Sequence, residues 1–204
     1  MSIHSTAIIH EGASLGEGTE VGPYSVIGSK VKLGKNNIIK SHVVIEGNTE
    51  IGDENTFFQF ASVGAAPQDL KFHGEDSKLI IGNKNTIREY VTLQPGTEGG
   101  GMLTSIGDQN LFMASSHVGH DCKVGNANVI ANSVALAGHV TIHDFVIMGG
   151  LSAVHQFVRI GDSSMISGGS MVIKDIPPFS IAQGDRASLV GINKIGLERR
   201  GFSK

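Results

Sequence analysis

The chain has 204 residues and a formal charge of −3, so it can form one domain with a sizeable core but lacks the basic surface that nucleic-acid binding needs. No apolar stretch approaches the ~18 residues of a membrane-spanning helix, and the N-terminus MSIHSTAIIH has no signal-peptide pattern. We therefore expect a cytoplasmic protein without an integral membrane segment. The lone Cys122 excludes an internal disulfide, and we interpret it as a small buried side chain.

Two features of the composition point to a repeated structure. The chain has 28 glycines and no tryptophan, and aromatic residues make up only 5% of it. Its core must therefore consist of small aliphatic side chains packed on a glycine-rich backbone. A repeated unit accounts for this composition better than an ordinary β-sandwich does.

An apolar residue recurs every six positions along most of the chain. The first run consists of Ile3, Ile9, Leu15, Val21, Ile27, Leu33, Ile39, Ile45, Ile51, Phe57 and Val63. After an interruption at 64–80, the pattern resumes in phase at Ile81, Ile87 and Leu93. A second interruption at 94–105 shifts the pattern by one position, and the last run consists of Ile106, Phe112, Val118, Val124, Ile130, Leu136, Ile142, Met148, Val154, Ile160, Ile166 and Val172.

A period of six fits neither a helix nor a simple strand. It predicts a short strand that points one aliphatic side chain inward, followed by a corner at which a small neighbour, often glycine, lets the chain bend. Three such strands close a triangle of 18 residues, and stacked triangles pair in parallel. The sequence thus predicts an all-β parallel β-helix of roughly eight or nine coils over residues 1–175.

The two interruptions and the C-terminal segment depart from this repeat. We expect loops at about 64–80, which contains GAAPQDLKFHGEDSK, and at 94–105, which contains PGTEGGGMLT. Binding groups are often carried by loops on a rigid scaffold. The segment IPPF is expected to stop the repeat, because proline cannot donate to a strand ladder. GINKIGLERRGF then predicts a short helix with basic residues at its end, so residues 176–204 form a short C-terminal cap.

The stretch HVGHDCKVGN at 117–126 predicts a catalytic site once the coil is assumed. With 18 residues per coil, Gly138 stacks on His120, His139 stacks on Asp121, and Gln156 follows Gly138. An imidazole base beside an unhindered backbone N–H provides the groups needed for acyl transfer, and a neighbouring carboxylate can orient the imidazole. Cys122 lies two residues beyond His120 and would face the same way on an extended segment, so a thiol nucleophile remains an alternative.

Several local motifs give the chain a more specific resemblance, which covers nearly its whole length. They are QDLK at 68–71, IRE at 87–89, HVGHDCKVGN at 117–126, LAGHV at 136–140, HQF at 155–157, IPP at 176–178 and GLERRGFS at 196–203. With these motifs, the sequence resembles the LpxA family of UDP-N-acetylglucosamine O-acyltransferases, within the hexapeptide-repeat acyltransferase superfamily. The resemblance implies a left-handed β-helix, although parallel crossovers are normally right-handed.

The resemblance also implies a reaction and its residues. An (R)-3-hydroxyacyl chain would pass from acyl carrier protein to the 3-hydroxyl of UDP-N-acetylglucosamine, as the first step of lipid A biosynthesis, without a cofactor or a metal. His120 would be the general base, Asp121 its support and Gly138 N–H the oxyanion donor. The implied substrate-binding residues are Gln68, Asp69, Lys71, His117, His139, His155, Gln156, Asn193 and Arg199.

The same resemblance places Gly168 and Met165 where the family measures acyl-chain length, and the small glycine implies a longer chain. It further implies a homotrimer with sites between neighbouring chains. Members of the family continue beyond RRGFS with a helical domain of several dozen residues, whereas this sequence stops at Lys204. Trimer strength and carrier-protein affinity are therefore expected to depend on that segment.

Three other functions remain open at this stage. A related acyltransferase that acts on a 3-amino sugar nucleotide would keep the same base. A zinc enzyme resembling the γ-class carbonic anhydrases could use His117, His139 and His143 as ligands. A nonenzymatic solenoid is the third, although the scattered threonines do not form the ladder of an ice-binding face. Arg199 and Arg200 are adjacent on a predicted helix and therefore point to different sides, so at most one is expected to bind a phosphate group directly.

Overall fold

The computed structural model describes residues 2–202, so Met1, Ser203 and Lys204 lie outside it, together with the last residue of the GLERRGFS motif and the end of the predicted cap. Short parallel strands form three sheets that are the faces of a triangular prism, and successive strands visit the faces in rotation. The predicted all-β parallel β-helix with 18-residue coils is confirmed, as shown by the pairing of Val118 with Leu136 and of Leu136 with Val154.

The three faces are defined here by their strands. The first sheet contains Ser2–Ile3, Glu20–Val21, Ile38–Ile39, Thr56–Phe57, Thr86–Ile87, Leu111–Phe112, Val129–Ile130, Ile147–Met148, Met165–Ile166, Ser180–Gln183 and Ser188–Ile192. The second contains Ile8–Ile9, Val26–Ile27, Val44–Ile45, Ser62–Val63, Thr92–Leu93, His117–Val118, Ala135–Leu136, Ala153–Val154 and Met171–Val172. The third contains Ser14–Leu15, Lys32–Leu33, Asn48–Ile51, Lys78–Ile81, Leu103–Ile106, Lys123–Val124, Thr141–Ile142 and Arg159–Ile160.

The core is the column of aliphatic side chains that the period of six predicted. From Val21 onward, the inward residue of almost every coil strand is buried, and Phe57 and Phe112 are the large rings in that column. Each coil alone would leave its inward side chains half covered, and stacking buries them between neighbouring coils. The core is therefore continuous along the prism axis and leaves the corners free to carry polar residues.

Many of the corner glycines avoid a clash, as predicted, but the clash is with the next coil and not at the bend itself. The corner residue with left-handed backbone is usually not glycine, as at Asp121 with a φ of 59° and His139 with a φ of 63°. Gly52 and Gly107 instead lie where a Cβ would stand 2.8 and 2.7 Å from the carbonyl oxygen of the next coil. These glycines permit the close stacking of coils, whereas the bend itself is made by residues that accept positive φ.

The corner between the third and first sheets, called the third corner, holds a ladder of buried asparagines. The members are Asn37, Asn55, Asn85, Asn110 and Asn128. The side-chain oxygen of each of the first four accepts from the next asparagine, and that of Asn128 accepts from the N–H of Val146. The repeated pairing satisfies polar groups that a buried corner would otherwise leave unmatched. This ladder fixes the register at one edge of the prism.

Both loops leave the prism at the corner between the second and third sheets, called the second corner. The first loop is 64–77 and the second loop is 94–102, which contains the 3-10 helix Glu98–Gly100. Strands resume at Lys78 and Leu103, three residues before the predicted resumption at Ile81 and Ile106. The period of six marks one inward residue per strand, so it misses the additional inward residues Leu79 and Thr104 of these four-residue strands.

The C-terminal cap also differs from the prediction. The two prolines do not stop the coil, because Ile176 pairs with Ile160 and Ser180–Gln183 extends the first sheet in parallel. The prolines occupy the third corner, where the missing N–H interrupts no strand pairing. The strand Ser188–Ile192 then folds back antiparallel on Ser180–Gln183, and the helix Lys194–Arg199 follows. Within residues 2–202, no helix has the length and apolar character needed to span a bilayer.

Candidate active site

His120 and Asp121 lie side by side at the second corner, directly after the strand His117–Val118. The Nδ1 of His120 is 2.8 Å from Oδ2 of Asp121. An ionised carboxylate only accepts hydrogen bonds, so Nδ1 carries the proton and Nε2 presents its lone pair to the outside. The imidazole of His120 is 17% exposed and the Asp121 side chain 1% exposed. The pair therefore presents a proton acceptor at the surface, held by a buried anion.

Gly138 stacks on His120, as the 18-residue spacing predicted. A Cβ built on Gly138 would stand 2.5 Å from Cε1 and Nε2 of the His120 ring, so only glycine leaves the ring its place. Gly138 is buried, and within residues 2–202 its N–H has no hydrogen-bond acceptor. An unpaired N–H at a buried position is costly, and a ligand oxygen that accepts from it would remove that cost.

The free N–H of Gly138 contrasts with the equivalent position at the third corner. There the N–H of Lys35, Asp53, Asn83, Asp108, Asn126 and Asp144 each donates to an Asp or Asn oxygen of the next coil, at 2.6 to 2.9 Å. At the second corner, the position that follows Gly138 in the stack is Gln156, which makes no such bond. The N–H groups of His120 and Gln156 at this corner also have no acceptor within residues 2–202, but Gly138 is the buried one of the three.

The second loop supports Asp121 through contacts that we did not predict from the sequence. The backbone N–H of Thr97 donates to Oδ1 of Asp121 at 2.9 Å, and its hydroxyl donates to Oδ2 at 2.6 Å. Asp121 N–H donates in turn to the hydroxyl of Thr104 at 2.7 Å. Only the count of residues per coil could have indicated this contact. The second loop leaves the prism at the second corner, and His120 lies at the same corner one coil later.

His139 lies beside the catalytic pair on the next coil. Its ring meets the His120 ring edge to face at 5.0 Å, and stacks on Phe157 at 4.4 Å with an interplanar angle of 11°. The ligand atoms of His120, Asp121 and His139 lie within 4.8 Å of one another, so this cluster could hold a cation. Oδ2 of Asp121 already accepts two hydrogen bonds, from the Thr97 hydroxyl and from Nδ1 of His120, and Oδ1 accepts one, from the N–H of Thr97.

The histidines that the zinc alternative requires do not converge within one chain. Nδ1 of His117 is hydrogen-bonded to the hydroxyl of Thr92 at 2.7 Å on the outer side of the second sheet. Burial, and secondarily the charge of nearby His120, lower the pKa of His117. His143 lies at the third corner, next to the N–H ladder residue Asp144. Within residues 2–202, His139 alone of the three belongs to a cluster with metal-ligand spacing.

The first loop brings an acidic side chain to His120. Oδ2 of Asp69 is 3.9 Å from Nε2 of His120, a gap too long for a hydrogen bond and wide enough for a substrate hydroxyl to contact both groups. Oδ1 of Asp69 accepts from the N–H of Lys71, and the Lys71 and Gln68 side chains are exposed beside it. The first loop therefore brings Asp69 to His120, with Gln68 and Lys71 exposed on the same loop.

His155 and Gln156 continue the second corner one coil beyond Gly138 and His139. Both side chains are exposed, and Nδ1 of His155 is 3.2 Å from the Gln156 carbonyl oxygen. Coil stacking places them on the same edge as His120, with Gln156 in the column of Gly138. They can contact a ligand that extends from the His120 pair toward the C-terminal end of the prism.

The remaining predicted residues lie elsewhere on the chain. Asn193 caps the C-terminal helix by accepting from Gly196 N–H, and its side-chain amide donates to the Ser163 carbonyl oxygen. Arg199 and Met165 line a cavity of about 740 Å³ between that helix and the first sheet. Gly168 lies at the corner between the first and second sheets. Within a single chain, none of these four joins the group around His120.

The two arginines of the C-terminal helix have different environments. The guanidinium of Arg200 lies 3.6 Å from the centre of the Phe145 ring and is hydrogen-bonded to the Ser163 hydroxyl. Arg199 faces the cavity and takes part in no ion pair within residues 2–202. Arg200 therefore holds the helix against the prism, and Arg199 is the arginine available to an anion.

Cys122 cannot act as the thiol nucleophile that its spacing from His120 left open. The corner turns at Asp121, so the Cys122 side chain points into the core, fully buried, and its thiol donates to the Ala137 carbonyl oxygen. Burial raises the pKa of Cys122 to about 12, so the reactive thiolate is absent at neutral pH. The extended geometry assumed for residues 120–122 was wrong, because the corner residue adopts left-handed backbone.

Comparison with known proteins gives the family. The model of UDP N-acetylglucosamine O-acyltransferase, domain 2, matches residues 175–204. LpxA from Acinetobacter baumannii is 49% identical with a TM-score of 0.98, and the alignment covers 99% of this chain and 78% of the solved one. The chain belongs to the LpxA family. LpxA from Moraxella catarrhalis is 46% identical with a TM-score of 0.98, covering 100% of this chain and 79% of that one.

A third member of the LpxA family extends the comparison. The UDP-N-acetylglucosamine acyltransferase of Francisella novicida is 41% identical with a TM-score of 0.97, covering 98% of this chain and 74% of that one. The superposition includes the coils, both loops and the cap. A coil of opposite hand would not superpose in this way, so the expected left-handed β-helix is confirmed.

Proposed function

We propose that the protein transfers an (R)-3-hydroxyacyl chain from acyl carrier protein to the 3-hydroxyl of UDP-N-acetylglucosamine, the first step of lipid A biosynthesis. Family membership supports the reaction class, and one observation supports the chemistry. The His120 imidazole, oriented by buried Asp121, packs on Gly138, whose N–H has no partner within residues 2–202. Both substrates belong to the cytoplasm, which is where we place the reaction.

The proposed reaction needs no covalent enzyme intermediate. Nε2 of His120 takes the proton of the sugar 3-hydroxyl as its oxygen attacks the thioester carbonyl. The carbonyl oxygen becomes an oxyanion that accepts from the Gly138 N–H, while Asp121 stabilises the imidazolium. The tetrahedral intermediate then expels the carrier thiolate, which takes the proton from His120. The products are the 3-O-acyl sugar nucleotide and the free carrier thiol, and His120 returns to its neutral form.

We further propose that the protein works as a homotrimer with each site between two chains. Asn193, Arg199, Met165 and Gly168 lie away from His120 within one chain. A neighbouring chain that presents these residues to the second corner would complete the site, with Arg199 near the diphosphate and Gly168 near the end of the acyl chain. Glycine at 168 leaves room for a longer chain, because it adds no side chain to the groove.

The decisive experiment is a transfer assay with UDP-N-acetylglucosamine and hydroxyacyl carrier proteins of several chain lengths. Replacing His120 with Ala is expected to lower kcat by about 10²–10⁴-fold without unfolding the chain. His143→Ala is the matched control, because this exposed histidine at the third corner has no contact with the site. Near-normal turnover by the His120 variant would refute the proposed base.

The same assay separates the alternative functions. A 3-amino analogue of the acceptor gives an amide instead of an ester, and we expect the ester-forming reaction to have the higher kcat/KM. A zinc mechanism requires loss of activity after chelation and in the His143 variant, whereas acyl transfer requires neither. Faster turnover of the amino acceptor would reassign the substrate while keeping the base.

A further inference from the structure

The second loop holds the Asp121 carboxylate that is also hydrogen-bonded to His120. Thr97 is 4% exposed and gives the carboxylate two hydrogen bonds, one from its N–H and one from its hydroxyl. The hydroxyl bond and the His120 bond both end on Oδ2, at 2.6 and 2.8 Å. Short bonds from O–H and N–H donors to an ionised carboxylate are among the strongest in proteins. The carboxylate is thus held between the loop and the imidazole.

The three glycines that follow Thr97 and Glu98 shape the loop around the same carboxylate. A Cβ on Gly100 would stand 1.9 to 2.3 Å from the carboxyl atoms of Asp121, so the carboxylate occupies the space that a side chain would take. A Cβ on Gly99 would meet nothing within 4 Å, and Gly101 ends the 3-10 helix with a φ of 97°. Of these three positions, only 100 must be glycine because of its contact with Asp121.

The first loop braces the second one. The Glu75 carboxylate accepts from the N–H of Glu98 at 3.0 Å and from the N–H of His73 at 2.8 Å. The N–H of Gly96 donates to the carbonyl oxygen of Lys78, where the third sheet resumes. Thr97 therefore lies on a segment fixed at both sides, which makes its hydroxyl a rigid support for Asp121.

We propose that Thr97 is a positioning residue that fixes Asp121 and thereby keeps His120 in the tautomer with the proton on Nδ1 and the lone pair on Nε2. This inference rests on the acyl transfer proposed above. Thr97 touches neither substrate nor reacting atoms in this arrangement, and its effect passes through Asp121. Without the hydroxyl, the carboxylate can rotate, and the imidazole then populates both tautomers, only one of which can act as the base at Nε2.

The test combines kinetics with a measurement that does not depend on activity. Thr97→Val keeps the shape and removes the hydroxyl, and we expect kcat about tenfold lower with KM for the sugar nucleotide within about twofold. Thr97→Ser keeps the hydroxyl and should restore kcat. Nitrogen-15 NMR of His120 should show the Nδ1–H tautomer in the wild type and Thr97→Ser, and a mixture in Thr97→Val.

Thr19→Val is the matched control, because Thr19 is equally buried and donates its hydroxyl to the Gly34 carbonyl oxygen at the third corner. It should leave kcat and the His120 tautomer unchanged. An unaltered tautomer or kcat in Thr97→Val would overturn the proposal, as would a Thr97→Ser enzyme as slow as Thr97→Val. If the wild type fails to transfer acyl chains, the proposed function fails, while the NMR spectra still decide the positioning of His120.

A second pair of variants tests the loop should Thr97→Val fail to fold. Gly100→Ala forces the Asp121 carboxylate to move, and we expect kcat about 100-fold lower, as for a displacement of ~1 Å at a catalytic group. Gly99→Ala adds the same methyl group to the adjacent residue and should behave as the wild type. Equal kcat in the two alanine variants would contradict the proposed role of the loop.

Discussion

His117 shows how burial can make a polar residue sensitive to pH. Its imidazole lies against Thr92 on the second sheet, and burial lowers its pKa from the ordinary histidine value. The folded chain therefore binds fewer protons at this residue than the unfolded chain does at mildly acidic pH. Stability from neutral His117 is fully present above about pH 6.5 and is lost as pH falls through the lowered pKa.

His117→Gln removes this titration, so its free energy of unfolding should fall less steeply between about pH 7 and 5 than that of the wild type. Denaturant unfolding at a series of pH values measures the slope. His143→Gln is the control, because that histidine is exposed and its variant should follow the wild-type slope. Parallel curves for wild type and His117→Gln would show that His117 makes no such contribution.

Cys122 gives a second prediction at the scale of one residue. Its pKa is raised to about 12 by burial, and its thiol is bonded inside the core. A thiol-specific reagent should therefore modify native protein only at the rate of unfolding, and the denatured chain at once. Cys122→Ala should retain kcat, because the proposed mechanism uses no thiol. Rapid modification of the native protein, with parallel loss of turnover, would restore the thiol mechanism.

Among the elements of the fold, the asparagine ladder stabilises the third corner by hydrogen bonds, as aliphatic packing stabilises the core. The Asn85 amide donates to Asn55 Oδ1 and the Gly107 carbonyl oxygen, and its oxygen accepts from Asn110. Truncating one member leaves buried partners unpaired on both sides, which costs more than the bonds contribute on balance. The ladder is therefore sensitive at each interior position.

Asn85→Ala is expected to lower the free energy of unfolding by about 2–4 kcal/mol. Denaturant unfolding monitored by circular dichroism measures it. Asn132→Ala is the control, because Asn132 lies exposed at the corner between the first and second sheets and should change stability by less than about 0.5 kcal/mol. Equal losses for the two variants would mean that the ladder contributes nothing beyond an ordinary surface amide.

The elements also show what the sequence could and could not predict. One aliphatic residue every six positions is sufficient for the coil, because inward packing selects it directly. The hairpin formed by Ser188–Ile192 was missed, since all its residues are exposed and it carries no burial pattern. The prediction that Pro177 and Pro178 stop the repeat was wrong, because the missing N–H of proline disrupts paired strands and not corners.

Some residues of the candidate site could likewise be predicted from the sequence and others could not. His120, Asp121 and Gly138 could be placed by counting 18 residues per coil, because stacking has one register. Thr97 and Gly100 could not, because they lie in a loop whose path follows from no period. Asn193 stays a prediction, since the family resemblance suggests a ligand contact and, within one chain, its side chain caps a helix away from His120.

At the scale of the molecule, the distribution of site residues predicts an assembly. Arg199 lies in the C-terminal helix and Gly168 at the corner between the first and second sheets, so the proposed site is complete only with a second chain. Light scattering during size-exclusion chromatography should give about three times the chain mass of 21.4 kDa. A monomer that is fully active under the conditions of the assay would contradict the shared site.

We propose above all that the coil places Nε2 of His120 and the N–H of Gly138 together beside one reacting carbonyl group. A crystal structure with the 3-O-acyl product bound tests it most directly. We expect the sugar 3-oxygen within about 3 Å of Nε2 of His120 and the acyl carbonyl oxygen within hydrogen-bond reach of the Gly138 N–H. A product bound elsewhere, such as wholly within the cavity beside the C-terminal helix with His120 in solvent, would contradict it.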